Sequence, residues 1–290
     1  MNALPTRKSE HVHNPSVATE RTYGNVTAPV SRSKGACGYF TGEKVKRLLI
    51  ASAFAVLTLS GCSTGNYPVP GGQAHLDCRG DGTTTVILLA GMGDDANIWG
   101  PFRESLGPEV RTCAWDYPGV GQSTGAAGPM TASVAAAALH ATLDAAEVDR
   151  PVVLVGHSIA GLTVRLFVGL HPEAVSGVAL FDPTVSSFAR KYDSTDFQPH
   201  WDGTVSAREA DQVTAWPDIP FEILRHDSGG YRDEVWEAED EDAWIAGQAS
   251  FAQLAPAGIV SEVPDAGHYV YLDQPQVAAD AVLRILEQVE

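Results

Sequence analysis

Basic residues are scarce in this chain. Lys and Arg number 19 against 36 Asp and Glu in 290 residues, for a net charge of −17. A surface so short of positive charge repels phosphate backbones, which excludes a nucleic-acid partner. Cysteine is scarce too. The four Cys, at positions 37, 62, 78 and 113, include no C-x₂-C pair. No metal site is expected from them. Uninterrupted apolar sequence is also limited. The run Leu48–Leu59 has twelve residues, where a membrane-spanning helix takes about 20. No internal repeat is visible.

That short run has informative flanks. Lys44, Lys46 and Arg47 precede it, and Leu59-Ser60-Gly61-Cys62 closes it. Basic residues before a short apolar core are the pattern of a signal peptide. The closing tetrapeptide resembles the lipobox of bacterial lipoproteins. The resemblance implies cleavage before Cys62 and a diacylglyceryl group on its thiol. It also implies an exported protein, lipid-anchored to the outer face of the cytoplasmic membrane or cell envelope. Residues 1–42 are rich in Ser, Thr, Asn and Pro and show no periodicity, so disorder is expected there. Residues 1–61 would form leader and signal, residues 62–73 a tether, and residues 74–290 the folded domain. From Cys62 onward eleven basic residues face 33 acidic ones, a net charge of −22. Such a domain would meet the membrane through its lipid rather than by binding anionic headgroups.

Within 74–290 apolar β-branched runs alternate with helical patterns. Strands are expected at Ala74–Cys78, Thr83–Ala90, Val110–Asp116, Pro151–Val155, Gly177–Phe181, Phe221–Leu224 and Gly258–Val263. Helices are expected at Asn97–Leu106, Thr131–Ala146, the stretch ending at Leu170, Tyr231–Leu254 and Gln274–Val289. This alternation implies a mostly parallel sheet with helices on both faces. Residues 183–219 break the pattern. They are polar, carry Trp201 and Trp216, and read as a short cap insertion. The run Glu237–Asp242 reads as a solvated helix face.

The densest chemistry lies at Gly156-His157-Ser158-Ile159-Ala160-Gly161, between an apolar strand and a helical pattern. A turn so sharp pushes Ser158 out of the sheet edge and needs small neighbours, which Gly156, Ala160 and Gly161 supply. A serine hydroxyl is a poor nucleophile unless a base and an orienting acid assist it. His268, between the last strand and the last helix, is the best base. Two Asp compete as the acid: Asp182 after one strand and Asp227 after the next. Asp182 is preferred, with Asp227 as the alternative. His157 is expected to pack, His171 to cap a helix, and His226 to lie in the wrong place for the base.

These features together resemble the α/β-hydrolases. The elbow is close to their G-x-S-x-G, with Ala160 at the last position. Asp116-Tyr117-Pro118-Gly119-Val120-Gly121-Gln122-Ser123 is similar to the family's D-x-x-G-x-G-x-S, and the order Ser, acid, His is the same. The resemblance implies an α/β-hydrolase fold and an oxyanion hole from the backbone N–H groups of Ile159 and Met92. It places the acid after the later strand in many members, and after the earlier one in haloalkane dehalogenases and some relatives. It also makes the strands bearing Cys78 and Cys113 neighbours, so a disulfide is expected. The implied activity is a cofactor-free, monomeric serine hydrolase acting on a small acyl or ester substrate. A non-catalytic sensory lipoprotein, or a thioesterase, lipase or haloperoxidase-like chemistry, are the alternatives.

Overall fold

The computed structural model describes residues 64–125, 128–190, 200–228 and 238–290. The leader, the signal core and Cys62 lie outside the described residues. In chain order the elements are β1 (Gly65–Val69), β2 (Gly72–Arg79), β3 (Thr85–Leu89), α1 (Gly100–Leu106), β4 (Arg111–Trp115), β5 (Thr124–Gly125) and α2 (Ala132–Ala145). Then follow β6 (Val152–His157), α3 (Ala160–Leu170), β7 (Val175–Phe181), α4 (Ser186–Ala189) and α5 (Gly203–Ala210). The chain closes with β8 (Phe221–Arg225), α6 (Ala238–Ala252), β9 (Ile259–Glu262), α7 (Val270–Asp273) and α8 (Pro275–Val289).

The strands form one sheet in the order β1-β2-β4-β3-β6-β7-β8-β9, with β5 paired to β2. From β4 through β9 every neighbouring pair is parallel, whereas β2 runs antiparallel to β4. Side chains alternate between the faces, as strand geometry requires. Ile87, Leu89, Val152 and Leu154 join the core shared with α2 and α3. Val86, Leu88, Val153 and Val155 join the core shared with α1, α7 and α8. Helix α8 buries Ala278, Ala281, Val282, Ile285 and Leu286, one stripe at helical spacing.

One expectation needs correction. The tether assigned to residues 62–73 is largely a hairpin. Strand β1 begins at Gly65 and pairs antiparallel with β2 through Val69 and Gly72. Gly71 turns the chain at φ 84°, a conformation that costs glycine little. Pro68 is tolerated because β1 is an edge strand, where a missing N–H need not break a ladder. Prolines that read as linker residues therefore mark a sheet edge. The cap region is partly regular, with α4 and α5 inside it and Trp201 and Trp216 buried.

Cys78 faces Cys113 directly across β2 and β4, and the two form a disulfide. The bond closes a 35-residue separation, which by loop entropy contributes about 4 kcal/mol. The Cys78→Ser/Cys113→Ser double variant should lose stability of that order in denaturant titration under oxidising conditions. Equal stabilities would show that the bond contributes nothing.

Candidate active site

The C-terminal ends of β3, β6, β7, β8 and β9 converge on one edge of the sheet. In open α/β folds this is the edge where ligands bind. At the end of β6, Ser158 adopts φ 52°, and α3 begins two residues later. Its neighbours explain the glycines. A Cβ on Gly156 would come within 3.2 Å of the Ala160 Cβ and 3.0 Å of Leu180. Ala160 is therefore accommodated because Gly156 leaves it room. A Cβ on Gly161 would lie 2.7 Å from Pro183. The elbow is tied to the next strand end, with Thr184 N–H donating to the Ser158 carbonyl at 2.8 Å. The Ser158 hydroxyl lies 3.5 Å from Thr184 Oγ1.

Asp182 follows β7 and is fully buried, with φ 44°. Its Oδ2 accepts from His268 Nδ1 at 2.6 Å and from His226 Nδ1 at 2.9 Å. Its Oδ1 accepts from Trp244 Nε1 at 3.0 Å and from Gln248 Nε2 at 2.9 Å. Burial alone would raise its pKa, but the hydrogen bonds and charges of the two histidines hold the carboxyl well below the usual range. Asp227 bonds to the loop before His268. Its N–H donates to the Ala266 carbonyl at 2.9 Å and its Oδ2 accepts from the Asp265 N–H at 3.0 Å. It ties the loop after β8 to the loop that carries His268.

His157, inside the elbow, is buried as expected, and it also supports the neighbouring loop. Its Nε2–H donates to the His268 carbonyl at 3.0 Å. Burial, aided by the nearby His268, pushes its pKa well below the ordinary value, so the ring is neutral. A Cβ on Gly91 would meet its Nδ1 at 2.7 Å. This explains a glycine directly before Met92. On the same side, Tyr269 donates to Asp94 at 3.2 Å, and burial raises the Asp94 pKa. Met92 follows β3 and Ile159 precedes α3, so both stand at the edge that carries Ser158.

The D-x-x-G-x-G-x-S stretch is a brace. Asp116 accepts from Ala96 N–H at 2.6 Å and from Gln122 N–H at 2.9 Å. Gly121, at φ 55°, passes so close that a Cβ would sit 2.3 Å from Asp116 Oδ2. Ser123 Oγ donates to the Asp116 carbonyl and accepts from His75 N–H. The loop beside the site is thereby fixed by one buried carboxylate.

Sequence reasoning missed the second partner of Asp182. His226 is fully buried at the end of β8, and its Nε2 lies 2.7 Å from Glu241 Oε1 on α6. Both ring nitrogens face carboxylates, so both must carry protons. Glu241, in the acidic run read as a solvated face, thus makes one part-buried contact; Glu237 lies outside the described residues. Among the described residues, no group of three or more His, Cys, Asp or Glu could hold a metal ion.

A family model described as alpha/beta hydrolase fold matches residues 84–227. Over 147 residues the chain is 31% identical to the lipase LipV of Mycobacterium tuberculosis, covering 49% of this chain and 55% of that one. It is 31% identical over 156 residues to a pimeloyl-[acyl-carrier protein] methyl ester esterase of Salmonella newport, covering 54% of this chain and 48% of that one. The chain therefore spans about half the length of these two curated relatives. Among solved structures, a thermophilic esterase from Thermogutta terrifontis superposes with a TM-score of 0.59 at 18% identity, covering 78% of this chain and 98% of that one.

The histidine between two carboxylates has a thermodynamic consequence. Burial works to lower the His226 pKa, but Asp182 and Glu241 outweigh it and push it up to about 9. Unfolded, the ring titrates near about 6.5. Its stabilising contribution is therefore complete below about pH 6.5 and is lost as pH rises through the folded value. The gap in thermal midpoint between the protein and its His226→Gln variant should narrow across that window in calorimetry. A constant gap from about pH 6 to about pH 10 would contradict the assignment. Fold, family model and solved structures agree that the chain has the α/β-hydrolase fold.

Proposed function

We propose that this protein is a serine hydrolase that cleaves small carboxylic esters or related acyl compounds. Ser158 is the nucleophile, His268 the base and Asp182 the acid. The observation that carries the reading is the bond from His268 Nδ1 to the buried Asp182, at the sheet edge where Ser158 stands on a strained turn. With Nδ1 engaged, His268 has only Nε2 free to take the serine proton. Ser158 Oγ then attacks the acyl carbon, and the oxyanion accepts from the Ile159 and Met92 N–H groups. Collapse expels the alcohol, which takes the proton from His268 Nε2 and leaves an acyl-serine. Water, deprotonated by the same nitrogen, releases the acid and restores Ser158.

The esterase and lipase relatives support an ester as substrate. The Ser- and Thr-containing cap sequence favours small or polar esters over long acyl chains. The lipobox-like Leu59–Cys62 supports export and anchoring through Cys62. A diacylglyceryl group, unlike a single chain, would hold the protein firmly at a membrane.

Ser158→Ala and His268→Ala should each lower turnover of a short-chain ester by about 10⁴-fold, and the double variant no further, because the triad acts as a unit. Asp182→Asn should cripple the enzyme, while Asp227→Asn should cost little. Normal turnover by the Ser158→Ala protein would end the reading. The anchor has its own test, made in the native host. Mass spectrometry should find a mature N-terminus at a lipid-modified Cys62, and Cys62→Ala should abolish that processing. An unmodified Cys62 inside a longer chain would rule the anchor out.

A further inference from the structure

Asp182 serves two histidines, and a triad calls on only one. The second, His226, is as buried as the carboxylate itself and shares the same oxygen, Oδ2, with His268. Its far nitrogen is held by Glu241 at 2.7 Å. Glu241 stands on α6, one turn before Trp244 and two before Gln248, whose N–H groups bind the other oxygen of Asp182. One helix therefore grips the carboxylate three times, twice directly and once through His226.

Charge gives this arrangement a consequence beyond packing. Around His226 stand Asp182 at the end of β7, His268 before α7, Glu241 on α6 and its own neighbour Asp227. His226 can donate from both nitrogens only as an imidazolium. A cation on Asp182 Oδ2 offsets part of the negative charge that would otherwise stabilise a protonated His268. A neutral group in its place would leave that charge whole against His268.

We propose that His226 and Glu241 are positioning residues of this hydrolase: the Glu241–His226 pair fixes Asp182 Oδ2 against His268 and sets the lower pH limit of catalysis. This rests on the Ser158–His268–Asp182 reading. Glu241 acts through His226 and His226 through Asp182, and neither is required to touch substrate.

The test is the pH profile of kcat/KM for a neutral short-chain ester, measured on the full-length protein. His226→Gln keeps an N–H donor and removes the charge. Its acid limb should move to higher pH by about one unit, with the high-pH plateau kept within a few-fold. Glu241→Gln removes a negative charge while Asp182 still holds the His226 proton, so its limb should move the opposite way, to lower pH, and by less. If His226→Gln fails to fold, the Glu241→Gln profile decides alone. Acid limbs that overlay the wild type, or a loss equal at every pH, would overturn the role while Ser158→Ala remains inactive. Turnover surviving in Ser158→Ala would instead overturn the hydrolase reading, and this role with it.

Discussion

The site depends on the burial of one carboxylate. Asp182 has no contact with solvent, and an unpaired charge there would cost several kcal/mol. The chain meets that cost with four donors: two histidine rings, an indole and an amide. They arrive from the end of β8, from α6 and from the loop after β9. The segments that follow β7 are thus drawn to a single point, and His268 is brought to the edge of the sheet as part of the same network.

The elbow answers a steric constraint of a different kind. Ser158 is held at positive φ by a strand end and a helix start that nearly touch. Gly156 and Gly161 permit that approach, because a Cβ on either would collide with Leu180 or Pro183. Rigidity around the serine extends outward through His157, which is neutral and bonded to the His268 carbonyl. The residue between Gly156 and Ser158 thereby braces the loop that carries His268. Asp227 braces that loop from the other side through Asp265. Both are local ties that hold one strand-end loop against another.

Much of this was legible in the residues, and the exceptions have physical causes. The central strands and the elbow were readable because a strand buried on both faces is continuously apolar, and the switch to helical spacing after Gly156 is abrupt. The facing of Cys78 and Cys113 followed once their strands were expected to be neighbours. Strand β1 was hidden because its Gly and Pro are the residues of a linker, and only its partner β2 makes it a strand. Asp182 and Asp227 each follow a strand at the same edge, and sequence spacing does not separate them. The distinction lies in where the two side chains point. The His226–Glu241 pair was the least legible. It joins the end of β8 to a helix fifteen residues on, and its acidic member sits in a run that charge patterning assigns to solvent. The position of His226 at the active edge was the only signal available.

The central claim is that Ser158 is a nucleophile activated by His268 under the control of Asp182. Mass spectrometry after reaction with a fluorophosphonate addresses it directly, because the probe bonds covalently only to an activated hydroxyl. The account predicts one adduct per chain, on the peptide containing Ser158, and its loss in the His268→Ala and Asp182→Asn proteins. Labelling at a different serine, or undiminished labelling of Ser158 without His268, would contradict it.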